Sequence, residues 1–459
     1  MFINHDFIYK ILEETKNPRN EEIKEVLEKA KKRSGLSYKD IAILLQAEDR
    51  DDLEEIYQLA GEIKKDIYGK RVVVFAPLYV SDYCVNNCVY CGYKRDNKFA
   101  RRKLTMEEVA EEVRILERMG HKRLALELGE DPVNAPIEYA LECLDTIYKT
   151  QNANGEIRRV NVNIAATTVE NYKKLKKAGI GTYILFQETY NKEAYEALHP
   201  TGPKHDYNYH TEAMDRAMDG GIDDVGCGVL FGLNLYRYDF VGLLMHAEHL
   251  EAVKGIGPHT ISVPRIRPAD DINPHEFTNA ISDEIFAKIV AVLRIAVPYT
   301  GLIVSTRESQ KTREKVLELG VSQLSGGSST SVGGYVIKEK KYESSAQFDI
   351  SDDRTLDEIV NWLLEIGHIP SFCTACYREG RTGDRFMTLV KNGQIANCCL
   401  PNALITLKEY LEDYASPLTK ENGEKVIATE IKKIPNEKVR QIVLEYLSKL
   451  NNGKRDFRF

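Results

Sequence analysis

The chain has no long block of lysine and arginine, no apolar run long enough to cross a membrane and no low-complexity tract. It has no internal repeat beyond an alternation of short segments. The first absence argues against a nucleic-acid substrate, and 70 acidic residues outnumber 63 basic ones for a formal net charge of −7. The second argues against a membrane protein. Met1 to Asp6 show no basic region followed by an apolar stretch, so no secretory signal is expected. The expectation is a cytoplasmic, reduced protein, whose nine cysteines serve as ligands or free thiols rather than disulfides. With 459 residues, 43% of them hydrophobic, the chain can bury a large core and exceeds one minimal domain.

Residues 1–70 read as a charged, helical extension. Residues 20–27 place apolar side chains at helical spacing, Ser37 with Asp40 three places on reads as an N-cap, and 51–67 supply another helix. From Arg71 the pattern changes. Eight short apolar strands are expected at 72–77, 124–128, 160–164, 183–186, 225–231, 260–263, 302–305 and 321–324. A helix follows each but the last, and Thr105 with Glu108 forms a capping box at the start of the first. This alternation predicts parallel strands, and eight of them predict a closed α/β barrel of the (β/α)8 type over 71–335. Residues 336–349 read as a linker, and a mostly helical C-terminal domain fills out 336–459.

Seven thiols fall into two groups, while Cys143 and Cys227 stand alone and read as packed small hydrophobes. Cys84, Cys88 and Cys91 are spaced C-x3-C-x2-C in the loop after the first strand, where a barrel carries its chemistry. A structural zinc or an ordinary ferredoxin cluster takes four protein ligands. Three soft thiolates suit a cubane that keeps one iron open. The second group is Cys373 and Cys376, then Cys399 after 22 residues, with Cys398 pointing away from its neighbour. A zinc ribbon would carry a second C-x2-C pair, so another cluster with an unfilled iron is expected, a zinc site being the alternative. Arginines at 378, 381 and 385 lie between these thiols and could stabilise an anionic cluster.

The C-x3-C-x2-C spacing, with aromatic Tyr93 two places after the last thiol, resembles the radical S-adenosylmethionine (SAM) signature. The run from Phe75 through Tyr83 into those cysteines is similar to the aromatic-amino-acid lyases of that superfamily, and the second thiol group marks the branch that matures [FeFe]-hydrogenase rather than the thiazole-synthesis lyase. The resemblance implies a [4Fe-4S] cluster on Cys84, Cys88 and Cys91 that binds SAM, and a radical attack on L-tyrosine that breaks Cα–Cβ to give p-cresol and dehydroglycine. It implies a second, auxiliary cluster on Cys373, Cys376 and Cys399 with an extra labile iron helped by His259. There the fragment would become carbon monoxide and cyanide in an Fe(CO)2(CN) unit. An internal route between the clusters is expected, because dehydroglycine hydrolyses in water. Ferredoxin or flavodoxin as electron donor and other hydrogenase maturases are the implied partners.

By the same resemblance, Gly129 and Glu130 stand where the superfamily holds the SAM amino group, and Asn163 and Glu188 reach its ribose or methionine part. Arg307 after the seventh strand is placed to clamp the tyrosine carboxylate, which a planar bidentate donor suits. Tyr79 and Tyr93 are expected to pack on substrate or SAM. Ser325-Gly326-Gly327 are expected to give the substrate clearance. His246 and His249, three apart on an outer helix, read as surface residues. A thiazole-type lyase that stops at dehydroglycine, or a non-catalytic iron–sulfur scaffold or electron carrier, are the other classes the sequence allows.

Overall fold

The computed structural model describes residues 2–33, 35–268, 272–340 and 346–459. Eight parallel strands form the centre: β1 (Arg71–Ser81), β2 (Arg123–Leu128), β3 (Arg159–Asn163), β4 (Tyr183–Ile184), β5 (Val225–Gly228), β6 (Thr260–Ser262), β7 (Gly301–Val304) and β8 (Gln323–Ser325). Each pairs with the next, and β8 returns to β1 in parallel, Val73 opposite Gln323 and Phe75 opposite Ser325. The barrel is therefore closed, as the strand–helix alternation predicts. All eight expected strands are present. β1 differs in length: it runs through Pro77 to Ser81, because Pro77 to Tyr79 stay in register with Ala125 to Glu127 before a bulge between Tyr79 and Ser81.

Along β1 the even-numbered residues Val72, Val74, Ala76 and Leu78 are fully buried between barrel and helices. The odd-numbered residues turn inward, as the twofold period of a strand requires. The helix after the thiol loop starts and stops as its sequence demands. Thr105 Oγ1 accepts from the Glu108 amide at 3.3 Å, and Gly120 takes the left-handed conformation (φ 100°) that ends the last turn.

Four N-terminal helices, α1 (His5–Glu14), α2 (Asn20–Lys31), α3 (Tyr38–Gln46) and α4 (Arg50–Tyr68), cover the barrel wall. They explain one departure from expectation. The helix Tyr236–Lys254 lies under α1 and α3, so His246 is buried rather than on the surface, with Nδ1 2.9 Å from the Tyr190 hydroxyl. His249 stacks on Phe2 and pairs with Asp215 at 2.9 Å. Neither histidine lines the cavities at the two ends of the barrel described below.

At the other end, a ninth strand β9 (Ile369–Ser371) adds in parallel to the start of β1. It brings the helices Gly383–Lys391, Ala396–Asp413, Pro417–Glu430 and Glu437–Asn451 to the end of the barrel where strands begin. Buried Glu409 fixes them there, taking Arg158 at 2.7 Å and Lys122 at 3.5 Å. Among the described residues no helix is long and apolar enough to cross a membrane.

Candidate active site and metal centres

Two cavities occupy the two ends of the barrel. The upper one, at the C-terminal ends of the strands, is lined by Cys84, Cys88 and Cys91, by Phe75, Pro77 and Tyr79 from β1, and by Glu127, Asn163, Glu188 and Arg307. The lower one, at the strand beginnings, is lined by Cys373, Cys376 and Cys399, by Arg71 and Val73 from β1, and by Arg123, His259 and Gln323. One strand feeds both.

The thiol loop is held by side chains distant in sequence. Asn86 donates to Glu130 Oε2 at 2.6 Å and approaches Cys84 Sγ at 3.8 Å, while its own Oδ1 accepts from the Lys204 amide at 2.9 Å. The Val85 amide donates to the Glu130 carbonyl at 2.8 Å. Glu130 is thus engaged with the loop, and burial raises its pKa, the Asn86 bond opposing. Gly129 has a steric reason: a Cβ there would collide with the Tyr83 carbonyl oxygen and lie 3.2 Å from Cys84 Cβ. Asp131 caps the following turn, accepting from the amides of Val133 and Asn134.

Glu188, beyond β4, has φ 69°, a left-handed conformation that a residue with a Cβ adopts at a cost. Its carboxylate takes Lys204 Nζ at 2.8 Å. Lys204, invisible as a site residue in the sequence, lines the upper cavity beside Cys88 and Tyr90. Arg307 lies deep in the protein with its guanidinium over the Phe348 ring at 3.4 Å, and burial pulls its pKa below the ordinary value. Among the described residues no hydrogen bond from that guanidinium to a carboxylate is found. Tyr93 is buried edge-on to Tyr79 and donates to the Thr330 carbonyl at 2.9 Å, so its hydroxyl is committed to the wall. Glu127 at the end of β2 is pushed up to about 8 by burial, with Asn163 and Arg307 opposing.

Two expectations about the surroundings change. The segment 336–349 is not a plain linker: residues Gly334–Lys340 are helical, residues 341–345 lie outside the described ones, and Gln347 and Phe348 roof the upper cavity. Gln347 accepts from the Tyr79 hydroxyl at 2.8 Å, and its amide nitrogen stands 4.0 Å from Cys91 Sγ. Gly326 and Gly327 do not clear space for a substrate. A Cβ on Gly326 would press on Ile359 at 3.3 Å, and one on Gly327 would stand 3.2 Å from the Leu356 nitrogen and 2.6 Å from Met119 Cε, so both admit the helix Leu356–Glu365.

In the lower cavity Cys399 faces in, on the first turn of the helix Ala396–Asp413, while Cys398, about 100° round a helix from it, lines no wall. The Cys373 sulfur accepts from the Ala375 amide at 3.4 Å, and Arg123 donates to the Cys373 carbonyl at 2.8 Å. Burial pushes the Cys399 thiol up to about 12, Arg71 opposing. Arg71 is in turn raised by the three thiols against the cost of its burial. His259 Nε2 meets the Tyr377 hydroxyl at 2.9 Å, and its Nδ1, buried and without a hydrogen bond, lies 3.6 Å from Asp224. Of the arginines between the thiols, Arg378 pairs with Asp456 and Arg385 turns to Gly380; Arg381 is raised by Cys376 and Cys398 against burial.

Both donor sets fit an iron–sulfur cluster better than one ion. Among the described residues no three thiol, carboxylate or imidazole groups converge as ligands of a single metal ion. The three thiols of each group instead stand around a cavity, next to a half-buried cation, Lys204 above and Arg71 below. Three thiolates on a doubly charged core leave a net negative charge that such a cation stabilises, and the ligand position they leave open suits a cubane rather than a four-ligand structural zinc.

Comparison with known proteins agrees. Residues 78–244 match the radical SAM superfamily and 262–369 the biotin and thiamin synthesis associated domain. A crystal structure of HydG, a maturase of the [FeFe]-hydrogenase, superposes with a TM-score of 0.97 at 57% identity over all of both chains. HydG from Carboxydothermus hydrogenoformans gives 0.83 at 38% identity over 96% of this chain and 97% of that one. The 2-iminoacetate synthase of Salmonella typhimurium is 29% identical over 346 residues, 75% of this chain and 89% of the relative.

Proposed function

The chain belongs to the HydG family of radical SAM [FeFe]-hydrogenase maturases, and from that membership we propose that it cleaves L-tyrosine at one end of its barrel and builds diatomic ligands on iron at the other. The products are p-cresol and dehydroglycine above, then carbon monoxide and cyanide below, delivered as an Fe(CO)2(CN) unit. One observation carries the reading: two separate thiol triads line two cavities at opposite ends of one barrel.

Cys84, Cys88 and Cys91 would hold the upper cluster and leave an iron for SAM. When bound, the pair supplies one electron and a 5′-deoxyadenosyl radical. The chain's own groups do the rest. Gly129 lets the second strand approach the thiol loop, and Asn86 ties that loop to Glu130. Glu188 and Asn163 offer polar atoms to SAM, with Lys204 holding Glu188 in its left-handed geometry. Arg307, stacked on Phe348 and free of a carboxylate partner among the described residues, takes the tyrosine carboxylate. Phe75, Tyr79, Tyr93 and Phe348 wall the cavity against water, which keeps an alkyl radical from unselective attack.

Below, Cys373, Cys376 and Cys399 would hold the auxiliary cluster, with His259 available to the labile iron that is the cargo. Arg71 stabilises the anionic thiolates. The fragment would pass along the inward face of β1, which contributes to both cavities, rather than through bulk water. Ferredoxin or flavodoxin would supply the electron, and other maturases would receive the iron product.

Replacing Cys376 and Cys399 by Ala tests this. Tyrosine cleavage to p-cresol should persist while carbon monoxide and the iron product disappear. Carbon monoxide release by the double variant at the wild-type rate would defeat the two-centre reading. The same preparation without p-cresol or 5′-deoxyadenosine in the wild type would point to a scaffold or carrier.

A further inference from the structure

The upper cavity contains one charged group that the reading above leaves without a task. Glu127 faces it from the same wall as Tyr79 and Asn163, and the three are register partners across β1, β2 and β3. Asn163 beside it and Arg307 through space are the groups that hold the Glu127 pKa down against burial. Arg307 projects into the same cavity from the loop after β7, with no described carboxylate bonded to its guanidinium. A cation and an acid therefore line one space, with no salt bridge between them among the described residues. That is the complement of a molecule carrying a carboxylate and an ammonium on one carbon.

We propose that Glu127 receives the α-ammonium of the substrate while Arg307 takes its carboxylate, so that the two together select an α-amino acid over other phenols. This rests on the tyrosine reading and adds a specificity-determining residue to it. Half-burying an acid with so few polar partners is unfavourable unless something compensates. Two acids that brace the loops around the barrel show the contrast. Glu112 takes the amides of Tyr335 and Val336, and Asp131 those of Val133 and Asn134. Glu127 holds no backbone amide of this kind, so the folded chain gains little from it in the empty state. An ammonium would supply the partner that the ionised carboxylate lacks.

The groups facing Glu127 are Tyr79 from β1, Asn163 from β3, Arg307 from the loop after β7 and Tyr93 from the thiol loop. Of these only Arg307 carries charge near neutrality. Burial leaves the Glu127 carboxyl protonated up to about 8. Taking up an ammonium then releases a proton, so affinity rises as the pH rises toward that value.

The experiment uses the full-length protein with both clusters reconstituted and SAM present, without reductant, so that binding is read without turnover. It is titrated with L-tyrosine and with 3-(4-hydroxyphenyl)propanoate, which keeps the phenol and the carboxylate and lacks the amine. Glu127→Gln should weaken L-tyrosine by about tenfold or more and leave the amine-free acid within about twofold. Glu127→Asp should recover part of the tyrosine affinity. Wild-type tyrosine binding should tighten between about pH 6.5 and 8, and Glu127→Gln should lose that slope. With reductant added, the Gln variant should move KM more than kcat. Unchanged tyrosine binding in Glu127→Gln overturns the proposal. So does equal loss of both ligands in the Gln and Asp variants, which would mark a wall residue. A wild type that binds neither phenol and forms no p-cresol defeats the tyrosine reading itself, a result the wild-type arm separates from failure of the Glu127 assignment.

Discussion

Gly129→Ala is the sharpest test of how the upper centre is built. Gly129 has an ordinary negative or extended backbone, not one of the left-handed conformations, so the substitution adds sterics and little else. The new methyl would collide with the Tyr83 carbonyl oxygen, 3.1 Å from its carbon and 3.2 Å from Cys84 Cβ. Ordinary contact begins at 3.4 Å, and what lies in the way is backbone, which cannot rotate aside. The thiol loop must therefore retreat by roughly 1 Å, a displacement that can cost about 100-fold in rate when it moves a reacting centre. Overpacking of this kind also costs about 1–3 kcal/mol in stability. The assay has two parts. Iron content and EPR of the reduced protein, with and without SAM, report each cluster separately, and p-cresol formation reports the chemistry. The expected result is a weakened or displaced SAM-responsive signal, a p-cresol rate down by about two orders of magnitude, and an unchanged lower cluster. A variant with wild-type SAM-responsive EPR and wild-type p-cresol rate would refute the claim that close approach at Gly129 sets the position of Cys84.

Other expectations follow from the same geometry. Arg307→Lys keeps the charge and loses the planar fork, so KM for L-tyrosine in p-cresol release should rise by about tenfold; a rise in 5′-deoxyadenosine formation without tyrosine loss would contradict it. Lys204→Met leaves Glu188 buried, unpaired and in a left-handed backbone, and should lower unfolding free energy by about 3 kcal/mol in denaturant titration, with Glu188→Gln in the same chain recovering part of it. Asp239 is fully buried, its Oδ1 taking Thr189 at 2.7 Å and the Tyr190 amide at 2.8 Å while Oδ2 has no partner. Burial pushes it up to about 7. A carboxyl raised in the folded state stabilises below its unfolded pKa and loses that contribution as pH rises through the folded one. Wild-type stability should thus fall by roughly 3 kcal/mol between about pH 4 and 7, and Asp239→Asn should flatten that slope in thermal or chemical unfolding.

The barrel was readable because its signal is local and repeated. Short apolar strands, each closed by a capped helix, leave few other ways to bury both faces, and Thr105 with Gly120 marks one helix at both ends. The thiols were readable because cysteine spacing is chemically narrow. What escaped has a common cause. Lys204, Gln347, Phe348, Arg71 and Arg123 reach the cavities from segments whose local pattern says loop or strand edge, and only closure of the barrel brings them together. His246 looked exposed because its helix was judged alone, without α1 and α3 laid across it. Gly326 and Gly327 looked like substrate clearance because small residues after a strand suit either a ligand or a neighbouring helix, and the sequence does not say which.

The inward side chains of β1 have a consequence for how such a protein can change. Arg71 and Val73 belong to the lower chamber and Phe75, Pro77 and Tyr79 to the upper one, with the alternate residues locked into the wall. A single inserted or deleted residue early in that strand would reverse which set looks inward along its whole length. Both chambers would lose their lining in one step. Point replacements can adjust either chamber without touching the other, but a change in strand length is felt at both ends at once.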